Sequence, residues 1–132
     1  VAVSMCVRMW ERAGVEVLQC APTHSAARAL PSGMTLHRLF HSKTRRGIAP
    51  DLGAAVLVVD EAFYAGVTLL TLLAQVKLAS PNLTIVLVGD PSQLLAPCNT
   101  FGGAQPLFFE GSDLLHWLCG GRSLRFTQDP NA

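Results

Sequence analysis

Charge is scarce in this chain. Only 14% of its 132 residues are Asp, Glu, Lys or Arg, and the net charge is +1. Half the residues are hydrophobic, which excludes a charge-rich disordered chain. The net charge says little about partners: a nucleic-acid-binding domain is often more basic, but a local basic stripe can suffice. Long apolar runs are missing as well. The longest, Ala54–Val59 and Ile85–Val88, are far too short to cross a bilayer. No signal peptide is recognisable and there is no initiator Met; Val1 already lies in an apolar, helix-like run. The expectation is a soluble intracellular protein with no membrane partner and a natural start elsewhere. Nuclear, cytoplasmic and viral settings are not separated. The 4 cysteines, Cys6, Cys20, Cys98 and Cys119, form no Cys-x-x-Cys pair. Buried free thiols in a reducing compartment are expected, rather than a zinc site.

What is present is enough for one domain with a core. Val1–Ala13 places Met5, Met9 and Trp10 at helical spacing against Arg8, Glu11 and Arg12, and Gly14 ends the helix. Val15–Cys20 is a β-rich run leading into the loop Ala21-Pro22-Thr23-His24. Ser25–Leu30 and Thr35–Phe40 are short helices, the second capped by Thr35. Residues 41–53 form a loop. Ala54–Val59 and Thr84–Val88 are apolar without alternation, the mark of strands buried on both faces of a parallel sheet. Gly66–Ala79 is the helix between them. Residues 95–112 form an extended loop, Asp113–Cys119 a short helix and Arg122–Thr127 a last strand. Strands alternating with helices predict an α/β fold with right-handed crossovers. In such a sheet ligands bind at the carboxyl ends of the strands. The polar chemistry of the chain falls at those ends.

Two motifs carry most of that chemistry. Val56-Leu57-Val58-Val59-Asp60-Glu61-Ala62 delivers two adjacent carboxylates at a strand end. In a phosphate-cleaving site one can hold hydrated Mg²⁺ and the next can orient or deprotonate the attacking water. A solvated acidic turn is the plain alternative. The second motif is Val88-Gly89-Asp90-Pro91-Ser92-Gln93-Leu94-Leu95-Ala96-Pro97. Its glycine permits a sharp turn, and Gln93 can both donate to and accept from a γ-phosphate or its water. A simple Gly-Asp-Pro turn is the alternative there.

Taken together, these segments resemble the superfamily-one DNA helicases of the RecD and Pif type. Asp60-Glu61 matches the family's Walker B pair, and Gly89-Asp90-x-x-Gln93 its γ-phosphate sensor. Ala21-Pro22-Thr23-His24-Ser25-Ala26-Ala27 is similar to a segment that lies against single-stranded nucleic acid, and Thr35-Leu36-His37-Arg38-Leu39-Phe40 to a second such segment. The resemblance covers about residues 1–128. It implies a three-layer RecA-like P-loop domain with a mostly parallel sheet. It also implies an ATP-dependent helicase translocating on single-stranded DNA, in DNA repair, recombination or replication. Asp60, Glu61, Asp90 and Gln93 would bind ATP and Mg²⁺, with Asp60 on the metal and Glu61 and Gln93 catalytic. Pro22, Thr23, His24, Thr35, His37 and Arg38 would contact the nucleic acid.

The sequence also departs from that family. No Gly-rich loop ending Gly-Lys-Ser/Thr occurs, although phosphate cradling needs one. The resemblance places that loop just before Val1, so residues 1–132 read as part of a first motor domain, inactive alone and needing that loop and a second motor domain. His24 stands where the family favours Gly, and Asn131 falls near its arginine finger. A degenerate relative that binds nucleic acid or a partner without catalysis is the alternative reading; a viral RNA helicase, with RNA as partner, is another. His37 and His41 have metal-ligand spacing but lack a zincin glutamate. Arg38, Lys43, Arg45 and Arg46 form a basic cluster, either a solvated loop or a phosphate contact.

Overall fold

A computed structural model of the chain describes residues 2–43, 52–64, 67–90 and 112–124. Helix α1 spans Ala2–Arg12. It stops at Gly14, whose φ of 78° is open only to residues that tolerate the left-handed region. The Gly14 and Val15 amides then bond back to the carbonyls of Glu11 and Trp10, a glycine-terminated C-cap. Next come β1 (Val17–Ala21), α2 (His24–Ala29), β2 (Met34–Thr35) and α3 (Leu36–Lys43). β3 is Val56–Val59, followed by a 3-10 turn at Ala62–Tyr64, α4 (Val67–Ala79), β4 (Thr84–Leu87) and α5 (Asp113–Leu118).

The four strands form one sheet in the order β2-β1-β3-β4, and every pairing is parallel. Val17 to Cys20 align with Val56 to Val59, which align in turn with Thr84 to Leu87. The strands therefore end together at one edge. β3 lies in the interior with all four residues buried. Its side chains alternate between faces, as a period of two requires. Val56 and Val58 pack with Val7 of α1, flanked by Val3 and Trp10. Leu57 and Val59 belong to the larger core built with Leu36, Leu39 and Phe40 of α3, with Leu70, Leu73 and Val76 of α4, and with Leu118 of α5. Ala21 lies on the α1 side by the same alternation and packs with Ala26 and Ala27 of α2 and Leu30 just beyond it. Helices thus cover both faces, giving the three layers of a RecA-like P-loop domain.

Several sequence expectations need correction. The face of α1 that meets the sheet is Val3, Val7 and Trp10; Met5 and Met9 are exposed. Cys6 is exposed rather than buried. The loop expected from residue 41 begins later, because α3 continues to Lys43. A two-residue strand at Met34–Thr35 adds a fourth strand. Residues 122–124 are not strand; the remainder of that expected strand, Asn131, Arg45 and Arg46 lie outside the described residues. No helix among the described residues is long and apolar enough to cross a membrane.

Candidate nucleotide and nucleic-acid edge

Backbone hydrogen bonds carry the sheet register past the strand ends. The Asp60 amide donates to the Cys20 carbonyl at 2.9 Å, and the Val88 amide to the Val59 carbonyl at 2.8 Å. The chain then turns back on itself, and the Ala62 amide donates to the Val88 carbonyl at 2.8 Å. These bonds bring Asp60 and Glu61 beside the strand that leads to Gly89 and Asp90.

The turn is strained at one residue. Glu61 has φ of 51°, the only positive φ at a non-glycine among the described residues. Such a conformation costs about 1–3 kcal/mol and persists only where its surroundings enforce it. Here its own amide donates to Asp60 Oδ1 at 2.9 Å, and its carbonyl accepts from the Tyr64 amide at 2.9 Å. The bonds fix the backbone on both sides and leave the Glu61 side chain exposed. Asp60 is half-buried. A hard, half-buried carboxylate at a strand end, with one oxygen accepting from a backbone amide, suits a hydrated Mg²⁺. The donor chemistry of Asp60 fits that metal.

Gly89 meets this turn at close range. A Cβ at that position would lie 2.9 Å from Phe63 Cδ2 and 3.2 Å from the Ala62 amide nitrogen. Real Cβ atoms almost never show the first distance. The glycine is therefore favoured by proximity to the acidic turn, not by its own backbone angles, which are not left-handed.

The other half of the edge belongs to β1 and β2. Thr23 caps α2, its Oγ1 accepting from the Ala26 amide at 3.2 Å. Thr35 does the same for α3, accepting from the Arg38 amide at 3.2 Å. Both hydroxyl oxygens thus serve helix caps, and each keeps its hydrogen for a further acceptor. Pro22 and Thr23 are half-buried, whereas His24, His37 and Arg38 are exposed. Thr35 aligns with Ala21, and the Asp60 amide bonds to the residue before Ala21. Thr35 and Asp60 are two strands apart, about 10 Å across the sheet.

The edge is therefore graded. Asp60, Glu61 and Asp90 gather at the β3–β4 end, and Thr23, His24, Thr35, His37 and Arg38 at the β1–β2 end. Gln93 lies outside the described residues. His41 is exposed on α3, as is His37 one turn earlier. Sequence reasoning missed three features of the acidic end: the left-handed Glu61, the Ala62–Val88 bond and the Phe63–Gly89 contact. The short spacing between Asp60 and the turn at Ala62–Tyr64 was the only signal for any of them.

A parallel α/β sheet with helices on both faces and an acidic pair at the carboxyl end of a buried strand is the architecture of a RecA-like P-loop domain. The family model described as AAA domain matches residues 1–104, and the chain belongs to that family. No curated protein matches the chain significantly.

Proposed function

We propose that the chain belongs to the first motor domain of an ATP-dependent DNA helicase of the RecD and Pif type. The observation that supports this best is the graded edge, with two carboxylates beside Gly89-Asp90 at one end and the helix-capping Thr23 and Thr35 toward the other, Thr35 lying two strands, about 10 Å, from Asp60. A site of that width can take nucleotide at one end and single-stranded nucleic acid at the other.

In this reading Asp60 would hold Mg²⁺, which would supply charge neutralisation on the phosphates. Glu61 orients the attacking water and accepts its proton, and the left-handed backbone fixes where its carboxylate can reach. Gln93 senses the γ-phosphate. Asp90 contributes to the nucleotide end. Pro22, Thr23, His24, Thr35, His37 and Arg38 meet the nucleic acid, where phosphate oxygens can accept from the threonine hydroxyls and from Arg38. The full motor would supply the phosphate-cradling loop and a second motor domain.

The test is steady-state ATPase of the full-length protein with and without single-stranded DNA. We expect stimulation by DNA. Glu61→Gln should lower kcat by about 10²–10⁴-fold, the usual loss of a general base, with nucleotide binding largely kept. Hydrolysis equal to the parent's in that variant would remove Glu61 from the mechanism. Stimulation by RNA alone would move the reading to an RNA helicase.

A further inference from the structure

The acidic turn and the segment after β4 are joined by a contact that sequence comparison does not expose. Ala62 bonds to Val88 through the backbone, and the Phe63 ring lies against Gly89 where no side chain could fit. Phe63 is half-buried and sits in the 3-10 turn that directly follows Glu61. The Tyr64 amide closes that turn on the Glu61 carbonyl. A side chain added at Gly89 would meet the ring and the Ala62 amide first. Ala62 and Phe63 lie in the chain between Glu61 and Tyr64, whose amide bond to the Glu61 carbonyl helps hold the left-handed backbone.

We propose that Phe63 is a positioning residue, which bears on Gly89 and so ties the backbone of Glu61 to the position of the segment carrying Asp90. The proposal rests on the helicase reading above. It assigns no chemistry to Phe63, which touches no reacting atom. Its role is to make the acidic turn and the β4 end move as one body, so that a change at the segment after β4 is felt at Glu61. Packed contacts of this kind transmit displacement because neither side can deform without strain.

The contact makes a specific prediction about pairs of substitutions. Gly89→Ala alone places a methyl group against the Phe63 ring and the Ala62 nitrogen. Phe63→Ala in the same chain removes the closer of the two clashes and leaves the 3.2 Å approach to Ala62. The double variant should therefore recover from the Gly89→Ala loss as far as the level of Phe63→Ala alone, which lacks the same ring. Contacting residues show this kind of non-additivity, on a scale of about tenfold in a rate or equilibrium.

The experiment uses the full-length protein and measures DNA-stimulated ATPase, KM for ATP and Tm for Gly89→Ala, Phe63→Ala, Phe63→Leu and Phe63→Ala/Gly89→Ala. We expect Gly89→Ala to lower kcat by about tenfold, with KM for ATP little changed, and the double variant to regain kcat only as far as the level of Phe63→Ala. Phe63→Ala alone should reduce stimulation by DNA without raising KM, and Phe63→Leu should retain it. Those single variants keep the test open if Gly89→Ala does not fold. An active parent and an inactive Glu61→Gln, with a double variant no better than Gly89→Ala, overturn the role of Phe63 alone. So does Phe63→Ala with parental stimulation. A parent without DNA-stimulated hydrolysis overturns the helicase reading and this proposal together.

Discussion

β3 and the five residues that follow it are continuous in the chain, yet different physics governs each. Val56 to Val59 are at most 8% exposed, and each side chain has a place in a core on one face or the other. From Asp60 to Tyr64 the chain leaves the sheet, adopts a left-handed residue and exposes a carboxylate. The first segment stabilises the fold and has no polar side chain. The second carries the polar chemistry and includes a conformation that works against stability. The strand acts as a rigid mount, and its worth to the site lies in where it ends.

The sharpest way to break that contrast is a crossed pair of substitutions. Glu61→Gln, at the rim, should abolish most hydrolysis while leaving Tm within a degree or two, since exposed isosteric changes alter stability by only about 0.5 kcal/mol. Leu57→Ala, fully buried four positions earlier, should do the reverse in kind. Truncating a core leucine costs about 2–5 kcal/mol, a fall in Tm of roughly 10 °C. Any kcat lost by Leu57→Ala should return on cooling below its transition. A Tm in Leu57→Ala equal to the parent's would mean that β3 is not the mount described here.

The interior can also be probed through pH. Cys20, on β1 beside Val59, is fully buried, and its sulfur donates to the Val58 carbonyl at 3.6 Å. Burial pushes its thiol up from 9.0 to about 12. The neutral form is the one the folded state favours. Below about pH 9 both folded and unfolded chains hold the proton, and the pairing is neutral in effect. Above that, the unfolded chain ionises and the folded one does not, so stability falls by about 1.4 kcal/mol per pH unit until near pH 12. Denaturant titrations between pH 8 and 11 should show this slope, and Cys20→Ala should flatten it. In the native protein at pH 8, a thiol reagent should modify exposed Cys6 and spare Cys20. Equal modification rates would place Cys20 outside the core.

These differences also explain what was legible in the sequence. β3 could be read directly, because burial on both faces writes an unbroken apolar run; β4 was found by a similar run, although only Ile85 of its residues is buried and the expected burial on both faces does not hold there. Their order and the shared polar edge followed. β2 could not be read, since two residues make no pattern and Met34–Thr35 owes its pairing to β1 alone. The inward face of α1 was misjudged because methionine and valine both count as apolar. Which stripe docks was settled by the shape of the sheet, where β-branched Val56 and Val58 meet Val3 and Val7. At the rim, the identities of Asp60 and Glu61 were visible. The bonds that aim them were not, because Ala62, Phe63 and Gly89 act through backbone position and close approach rather than residue type.

The smallest expected effect concerns a residue that fits neither region. Gln19 lies in the middle of β1, paired in register with Val58 and only 2% exposed. Its Oε1 finds no hydrogen-bond partner among the described residues. By the alternation of β1 it faces the α1 side, among valines. A buried amide oxygen without a donor costs about 1–3 kcal/mol of desolvation. Methionine has nearly the same length and volume, is flexible enough to fill the same space and carries no such demand. Gln19→Met should therefore stabilise the domain by about 1 kcal/mol, a rise in Tm of a few degrees. Hydrolysis should not change, because Gln19 lies two residues short of the strand end. Gln19→Glu gives the opposite control, since an unpaired buried charge should lower Tm sharply at neutral pH and less at low pH, where the carboxyl is protonated. A lower Tm in Gln19→Met would show that a donor outside the described residues holds Oε1. The glutamine would then be an anchor for that segment, and the interior of the sheet would hold a polar tie as well as a mount.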